Sequence, residues 1–254
     1  FNALLTVRGG EVIKLKPGRY GVVRLTIPWN KLTVGTFSKA GATPILTAPV
    51  TIMSADPSNR AVMEAIFLNR TDKWRIEGIS FRPTSKIQAA SLSGDDIVFT
   101  NNDISFGNGV WTKEEWNSIP GNGISVDGAR VEVSYNYLKN INFGIGVGYN
   151  SSFAHVHHNK ITDWAGDGIR GLGDNGLYEH NYISNPVQVN DNHSDGFQSW
   201  SFNPVTKTVG TGLVKNTTLR FNTFIDSTEP NEFRASMQGI GLFDGPYENF
   251  MVEN

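Results

Sequence analysis

The 254-residue chain contains no cysteine. A disulfide scaffold and a thiolate metal site are therefore excluded. No apolar run approaches the ~18–20 residues that a bilayer-spanning helix needs. A basic excess is also missing. Lys and Arg number 22 against 24 Asp and Glu, for a formal net charge of −2, which leaves no electrostatic footprint for nucleic acid. Charged residues make up only 18% of the chain, and glycine is abundant at 27. Helices favour Ala, Glu, Lys and Leu, whereas Gly and Asn favour turns, so a helical bundle is excluded. A content of 11% aromatic and 39% hydrophobic residues argues against disorder. Phosphate-binding loops, zinc-helix motifs and nucleophile elbows are absent as motifs. The chain opens at Phe1 without Met or a signal-like stretch and stops at Asn254 in mid-repeat. Both ends are those expected of a piece of a longer chain.

Asparagine is scarce in one part only: four lie in residues 1–100 and 21 in residues 101–254. Much of that imbalance is periodic. A Gly-Ile step recurs at Gly123-Ile124, Gly144-Ile145, Gly168-Ile169, Gly196-Phe197 and Gly239-Ile240, with Gly spacings of 21, 24, 28 and 43. After each step comes a hydrophobic residue, two others, Asn, one other, and a second hydrophobic residue. This motif places Asn at 136, 159, 181 and 222, with a preceding copy at Asn102 and the next expected at Asn254. The earlier copy Ile76-x-x-Ile79-x-Phe81 has Ile in the Asn slot.

Each unit holds two or three short runs of period-2 alternation separated by Gly, Asn and Asp, the pattern of short strands and turns. A unit of ~22 residues fits one rung of a parallel β-solenoid, with rungs stacked about 4.8 Å apart. Equivalent Asn residues then lie above one another and can bond neighbour to neighbour inside the turn. A leucine-rich repeat would show a Leu consensus with a regular helix, and a propeller would repeat at about 40 residues or more. The expected fold is all-β, a single-stranded right-handed parallel β-helix forming one domain over 1–254. Residues 1–65 form an N-terminal cap and the first rungs, and 66–254 the remaining rungs. Insertions interrupt these near 108–121, 186–194 and 201–216, with an extension at 228–236. Solenoid insertions tend to wall a groove on one face.

The run Gly9-Gly-Glu-Val-Ile-Lys-Leu-Lys-Pro-Gly-Arg-Tyr20 resembles the opening coil of right-handed β-helix polysaccharide lyases and their relatives. The segment Ile76-Glu-Gly-Ile-Ser-Phe81 resembles an early rung of the chondroitinase/alginate-lyase-like proteins of that group. The resemblance covers most of the chain and specifies the fold better than the chemistry. Pectin-degrading enzymes, alginate lyases, C5-epimerases and phage tailspikes share these motifs. It implies an anionic polysaccharide as partner, a location outside the cell or on a virion surface, and attachment as a homotrimer or within a larger assembly.

Stacking converts sequence offsets into surface columns. The residue before each Gly-Ile step gives Asn122, Phe143, Asp167, Asp195 and Gln238. The outward position two after the Gly gives Ser125, Gly146, Arg170, Gln198 and Gly241. Asp167, Asp195 and Arg170 therefore converge. A carboxylate pair at about 5 Å suits a retaining glycosidase or a Ca²⁺ site. A lyase needs a base for C5–H and a cation or Arg for the uronate carboxylate. In the leading expectation Arg170 meets that carboxylate, with Ca²⁺ on Asp167 and Asp195, and Lys160 or His193 is the base. Gln198 and Trp200 follow as substrate contacts, and Trp111 and Trp116 as sugar platforms. A second column pair flanks the Asn ladder: Tyr135, His158, His180 and Phe221 before it, and Tyr137, Lys160, Tyr182 and Thr223 after it. His158, His180, Tyr137 and Tyr182 are expected there to bind an anionic sugar chain. Adjacent strand residues point to opposite faces, so His157 and His158 are expected on opposite sides. Three functions remain open: β-elimination, hydrolysis by the Asp pair, and non-catalytic glycan binding as in a tailspike or adhesin.

Overall fold

The computed structural model describes Leu4 and residues 7–26, 33–34, 37–38 and 46–254. Part of the expected cap over 1–65 lies outside the described residues. The chain coils through three long sheets, which we number in the order each coil visits them. Sheet 1 contains eight parallel strands: Val22–Thr26, Ala65–Asn69, Ala90–Ser93, Ile124–Asp127, Ile145–Val147, Ile169–Gly171, Phe197–Trp200 and Ile240–Phe243. Two short antiparallel strands, Thr33–Val34 and Phe37–Ser38, extend its first edge. Sheet 2 has nine strands, running from Val12–Leu15 to Met251–Glu253, and sheet 3 has seven, from Val62–Met63 to Thr223–Ile225. One coil illustrates the circuit: Ile124–Asp127 in sheet 1, Glu132–Ser134 in sheet 2, Tyr137–Ile141 in sheet 3, then Ile145–Val147 back in sheet 1. This is a right-handed parallel β-helix, the hand that parallel crossovers adopt.

The register matches the columns read from the repeat. Ile124, Ile145, Ile169, Phe197 and Ile240 pair in succession in sheet 1. Val133, Val156, Tyr178 and Leu219 do so in sheet 2. Except for Ile240, which is exposed, these columns fill one continuous interior, where Val133, Val156 and Tyr178 have no exposed surface. Burying apolar surface at roughly 25 cal/mol per Å² supplies the main drive for coiling.

Between sheets 2 and 3 the Asn ladder is realised. Each Nδ2 donates to a carbonyl of the coil before, as Asn159 does to Val133 at 2.8 Å, and to the next Asn, here Asn181 Oδ1 at 3.0 Å. The same Oδ1 accepts the backbone N–H of Asn159 at 3.1 Å. These bonds join Asn102, Asn136, Asn159, Asn181 and Asn222. The Ile79 N–H donates to Asn102 Oδ1, so the Ile copy abuts the ladder's first member. Asn254 is exposed and makes none of these bonds.

The insertions flank sheet 1. Those at 108–121, 186–194 and 228–236 lie on the connection from sheet 3 to sheet 1. The first holds a short helix, Lys113–Ser118, closed by a capping box between Thr112 and Glu115. Its Trp116 is buried with Ala165, Val187 and Val189. Asn117 donates to the Val189 carbonyl at 3.0 Å, which ties the first insertion to the second. On the other side, the 201–216 insertion folds into the antiparallel strands Phe202–Asn203 and Thr208–Val209. Phe202 packs on Tyr149 with ring centroids 4.3 Å apart. Among the described residues, no helix is long and apolar enough to cross a membrane.

Candidate active site

The outer face of sheet 1 carries the column Ser125, Gly146, Arg170, Gln198 and Gly241. Arg170 is its organising group. Its Nη2 donates to Asp167 Oδ2 at 2.5 Å, and its Nε to Gln198 Oε1 at 3.2 Å. The guanidinium lies over the rings of Phe143 and Trp200, 4.6 Å from each centroid. This sandwich fixes the plane of the cation. Among the described residues Nη1 has no hydrogen-bond partner, and the side chain stays 30% exposed.

One rung further on, Gln198 Nε2 donates to Asp195 Oδ2 at 2.8 Å, and His193 Nδ1 meets the same oxygen at 2.7 Å. Asp195 is fully buried while the His193 side chain is 47% exposed. A buried carboxylate on Nδ1 fixes the tautomer, so that Nε2 carries the lone pair. The chain Asp167–Arg170–Gln198–Asp195–His193 thus joins a cation to an oriented imidazole. Burial raises Asp167 to about 6, opposed by Arg170, and the neighbouring Asp195 charge adds to the rise. Burial also raises Asp195, opposed by its bonds to His193 and Gln198.

The expected convergence of Asp167, Asp195 and Arg170 is observed, but its use differs. Both carboxyls are buried, at 1% and 0% exposure. A glycosidic bond cannot reach carboxyls so enclosed, and hydrolysis by this pair loses its acid and nucleophile. A Ca²⁺ site is no better served. The oxygens Asp167 Oδ1 and Asp195 Oδ1 are buried without a partner, but Ca²⁺ takes 6–8 oxygen ligands. Among the described residues, no three His, Asp or Glu gather to hold a metal. Two carboxyl oxygens do not complete a Ca²⁺ cage by themselves.

His193 stays with Asp195 and does not swing round to the ladder face. Lys160 stands on sheet 3, paired in register with Tyr137 and Tyr182. Its Nζ lies 5.5 and 5.6 Å from their ring centroids. It makes no contact with Arg170, Asp195 or His193, so the two candidate bases occupy different surfaces. Trp116 is buried and Trp111 packs edge-on against it at 4.8 Å, so this pair anchors the insertion rather than forming a sugar platform. Trp200 does reach the site, as the cover on Arg170.

The column before the ladder also departs from its expected use. Tyr135, His158, His180 and Phe221 have φ of 54°, 53°, 54° and 54°, in the left-handed region. Their rings stack in succession at 4.8, 4.8 and 5.1 Å. Stacked faces are spent on each other, so His158 and His180 show edges and not platforms to a sugar. The same backbone twist corrects the expectation for His157 and His158. A left-handed residue breaks the alternation of a strand, and the two Nδ1 atoms lie 2.9 Å apart on one side.

Position reasoning missed a pocket of about 230 Å³ beside Arg170, lined by Gln88, Asn122, Ser125, Phe143, Gly146 and Asp167 among others. The signal for it was present in the small residues Ser125 and Gly146 of the outward column.

No protein-family model matches the chain, and no curated protein matches it. Among solved structures, an alginate lyase from Paenibacillus sp. str. FPU-7 is similar at 16% identity and a TM-score of 0.49, over 100% of this chain and 95% of that one. The alginate lyase AlyF-OU02 shows 14% identity and a TM-score of 0.47, with 93% of this chain covered and 59% of that one. A tailspike protein of E. coli bacteriophage HK620, in complex with a hexasaccharide, shows 9% identity and a TM-score of 0.44, over 95% and 45%. The chain thus spans little more than half of the second and less than half of the third.

Proposed function

We propose that this protein binds an acidic polysaccharide along sheet 1 and cleaves it by β-elimination at a uronic acid. The observation that carries this reading is the chain of contacts from Arg170 through Gln198 and Asp195 to His193. It sets a half-exposed, oriented imidazole one rung from a cation with an open donor. Arg170 Nη1 pairs with the uronate carboxylate, which acidifies the adjacent C5–H. His193 Nε2 removes that proton. The C5–H electrons form the C4–C5 double bond, the C4–O bond breaks, and the departing oxygen takes a proton from water in the open cleft. Asp195 stabilises the imidazolium that forms. In this reading the guanidinium performs the neutralising role. A polymer of this kind is met outside the cell or on its surface, which sets the expected location.

The test is to mix the protein with alginate, pectate and glycosaminoglycans and to follow ultraviolet absorbance of the unsaturated product. Absorbance that rises with time supports the reading. New reducing ends without absorbance would indicate hydrolysis. Binding without either signal, together with a trimeric mass in light scattering, would indicate a non-catalytic adhesin or tailspike domain instead.

A further inference from the structure

Most glycines flanking the sheet 1 strands have a packing reason. A Cβ on Gly123, Gly144 or Gly168 would approach the next coil's backbone at 2.5, 2.1 or 2.7 Å. Gly146 has none. A Cβ there would meet only the Ile124 carbonyl oxygen at 4.0 Å, and its φ is not positive. It sits in mid-strand, paired with Ser125 on one side and Arg170 on the other. Glycine at such a place weakens a strand, and it is found where something must approach the backbone closely.

The space it opens is the pocket beside Arg170. Its polar atoms are only partly committed. Gln88 Nε2 donates to the Ala90 and Gly123 carbonyls, at 3.2 and 2.8 Å, which leaves Oε1 as an acceptor. Asn122 Oδ1 accepts from Asn142 at 3.3 Å, which leaves Nδ2 as a donor. Among the described residues Ser125 Oγ has no hydrogen-bond partner, and neither does Arg170 Nη1. Phe143 supplies an apolar wall. A donor, two acceptors and one apolar wall around a pocket this size match a single pyranose ring beside the uronate that Arg170 holds.

We infer that this pocket is a saccharide subsite, in which the sugar next to the reacting uronate rests on the bare backbone of Gly146, one rung from the Arg170 that holds the reacting carboxylate. Gln88, Asn122 and Ser125 read its hydroxyls. The polymer then runs parallel to the coil axis, with successive sugars crossing successive rungs toward His193. The inference rests on the proposed acidic-polysaccharide substrate and adds where and in which direction that substrate lies.

The experiment is calorimetric titration of oligomannuronate, oligoguluronate, oligogalacturonate and chondroitin oligosaccharides into wild type, Gly146→Ala and Gly146→Val, with thermal melting of each protein. Filling open space on a strand should leave the melting temperature unchanged or raise it. Affinity for whichever oligosaccharide binds wild type should fall at least tenfold in Gly146→Val and less in Gly146→Ala. Wild-type affinity retained in a folded Gly146→Val would overturn the subsite and leave the proposed function standing. No binding of any of the four by wild type would overturn both.

Discussion

His193 Nδ1 lies 2.7 Å from Asp195 Oδ2, and that carboxyl is fully buried while the imidazole reaches solvent. The pairing spans two residues of sequence and joins an insertion to the lead-in of the sheet 1 strand Phe197–Trp200. It places the base candidate on the same face as Arg170. His193→Ala should therefore lower kcat by about 10²–10⁴, the range for loss of a positioned base. Asp195→Asn should lower it at least about tenfold by releasing the tautomer. Lys160→Ala, on sheet 3, should leave kcat within about twofold of wild type. Equal losses in the Lys160 and His193 variants, read as product absorbance, would invert the assignment.

Asp167 links stability to pH. Burial raises its folded value to about 6 from an ordinary 3.8. Between these values the native state holds more proton than the unfolded chain, so stability falls as pH rises through this window. Asp195 is raised in the same direction and adds to the trend. The slope is at most about 1.4 kcal/mol per pH unit for each group. Denaturant midpoints from pH 4 to 7 should decline in wild type and decline less steeply in Asp167→Asn.

The carboxyl pair does not form a cation cage, so a chelator should not matter. Turnover in EDTA should equal that in added Ca²⁺ to within about twofold. A strict requirement for Ca²⁺, restored by titration after chelation, would mean that substrate oxygens complete a site these side chains do not build alone.

The inner ladder and the outer ring stack should respond differently to mutation. Asn159→Ala removes the acceptor of the Asn136 N–H and Nδ2 and one donor to the Val133 carbonyl. A loss of about 2–4 kcal/mol is expected from several buried groups left unpaired. His158→Ala removes one ring from an exposed stack and should cost about 0.5–1.5 kcal/mol. Glycan affinity should be unchanged in His158→Ala, since its ring faces are already covered. Chemical denaturation and calorimetric titration of the two variants check both statements.

The Asn slots, the Gly-Ile steps and the alternation between them were legible without coordinates. They predict the coil, the columns and the adjacency of Asp167, Asp195 and Arg170. Strand pairing is what makes them legible. A one-residue slip would turn every core residue outward, so a buried solenoid repeats its register in its sequence. The availability of an outward side chain was not legible. Tyr135 and Phe221 are not residues that signal a left-handed turn, and only the backbone angles of the whole column show that the rings stack on each other and that His157 and His158 share a side. Likewise nothing in the order of residues announces that Arg170 lies between two rings, that Asp195 is sealed beneath His193, or that Gly146 fronts an open pocket. Which residues share a column follows from the order of residues alone, because it depends on a local period of about two residues along each strand and ~22 along the chain. The tertiary structure alone decided which of them face substrate, because that depends on insertions and turns that bring together groups from different rungs.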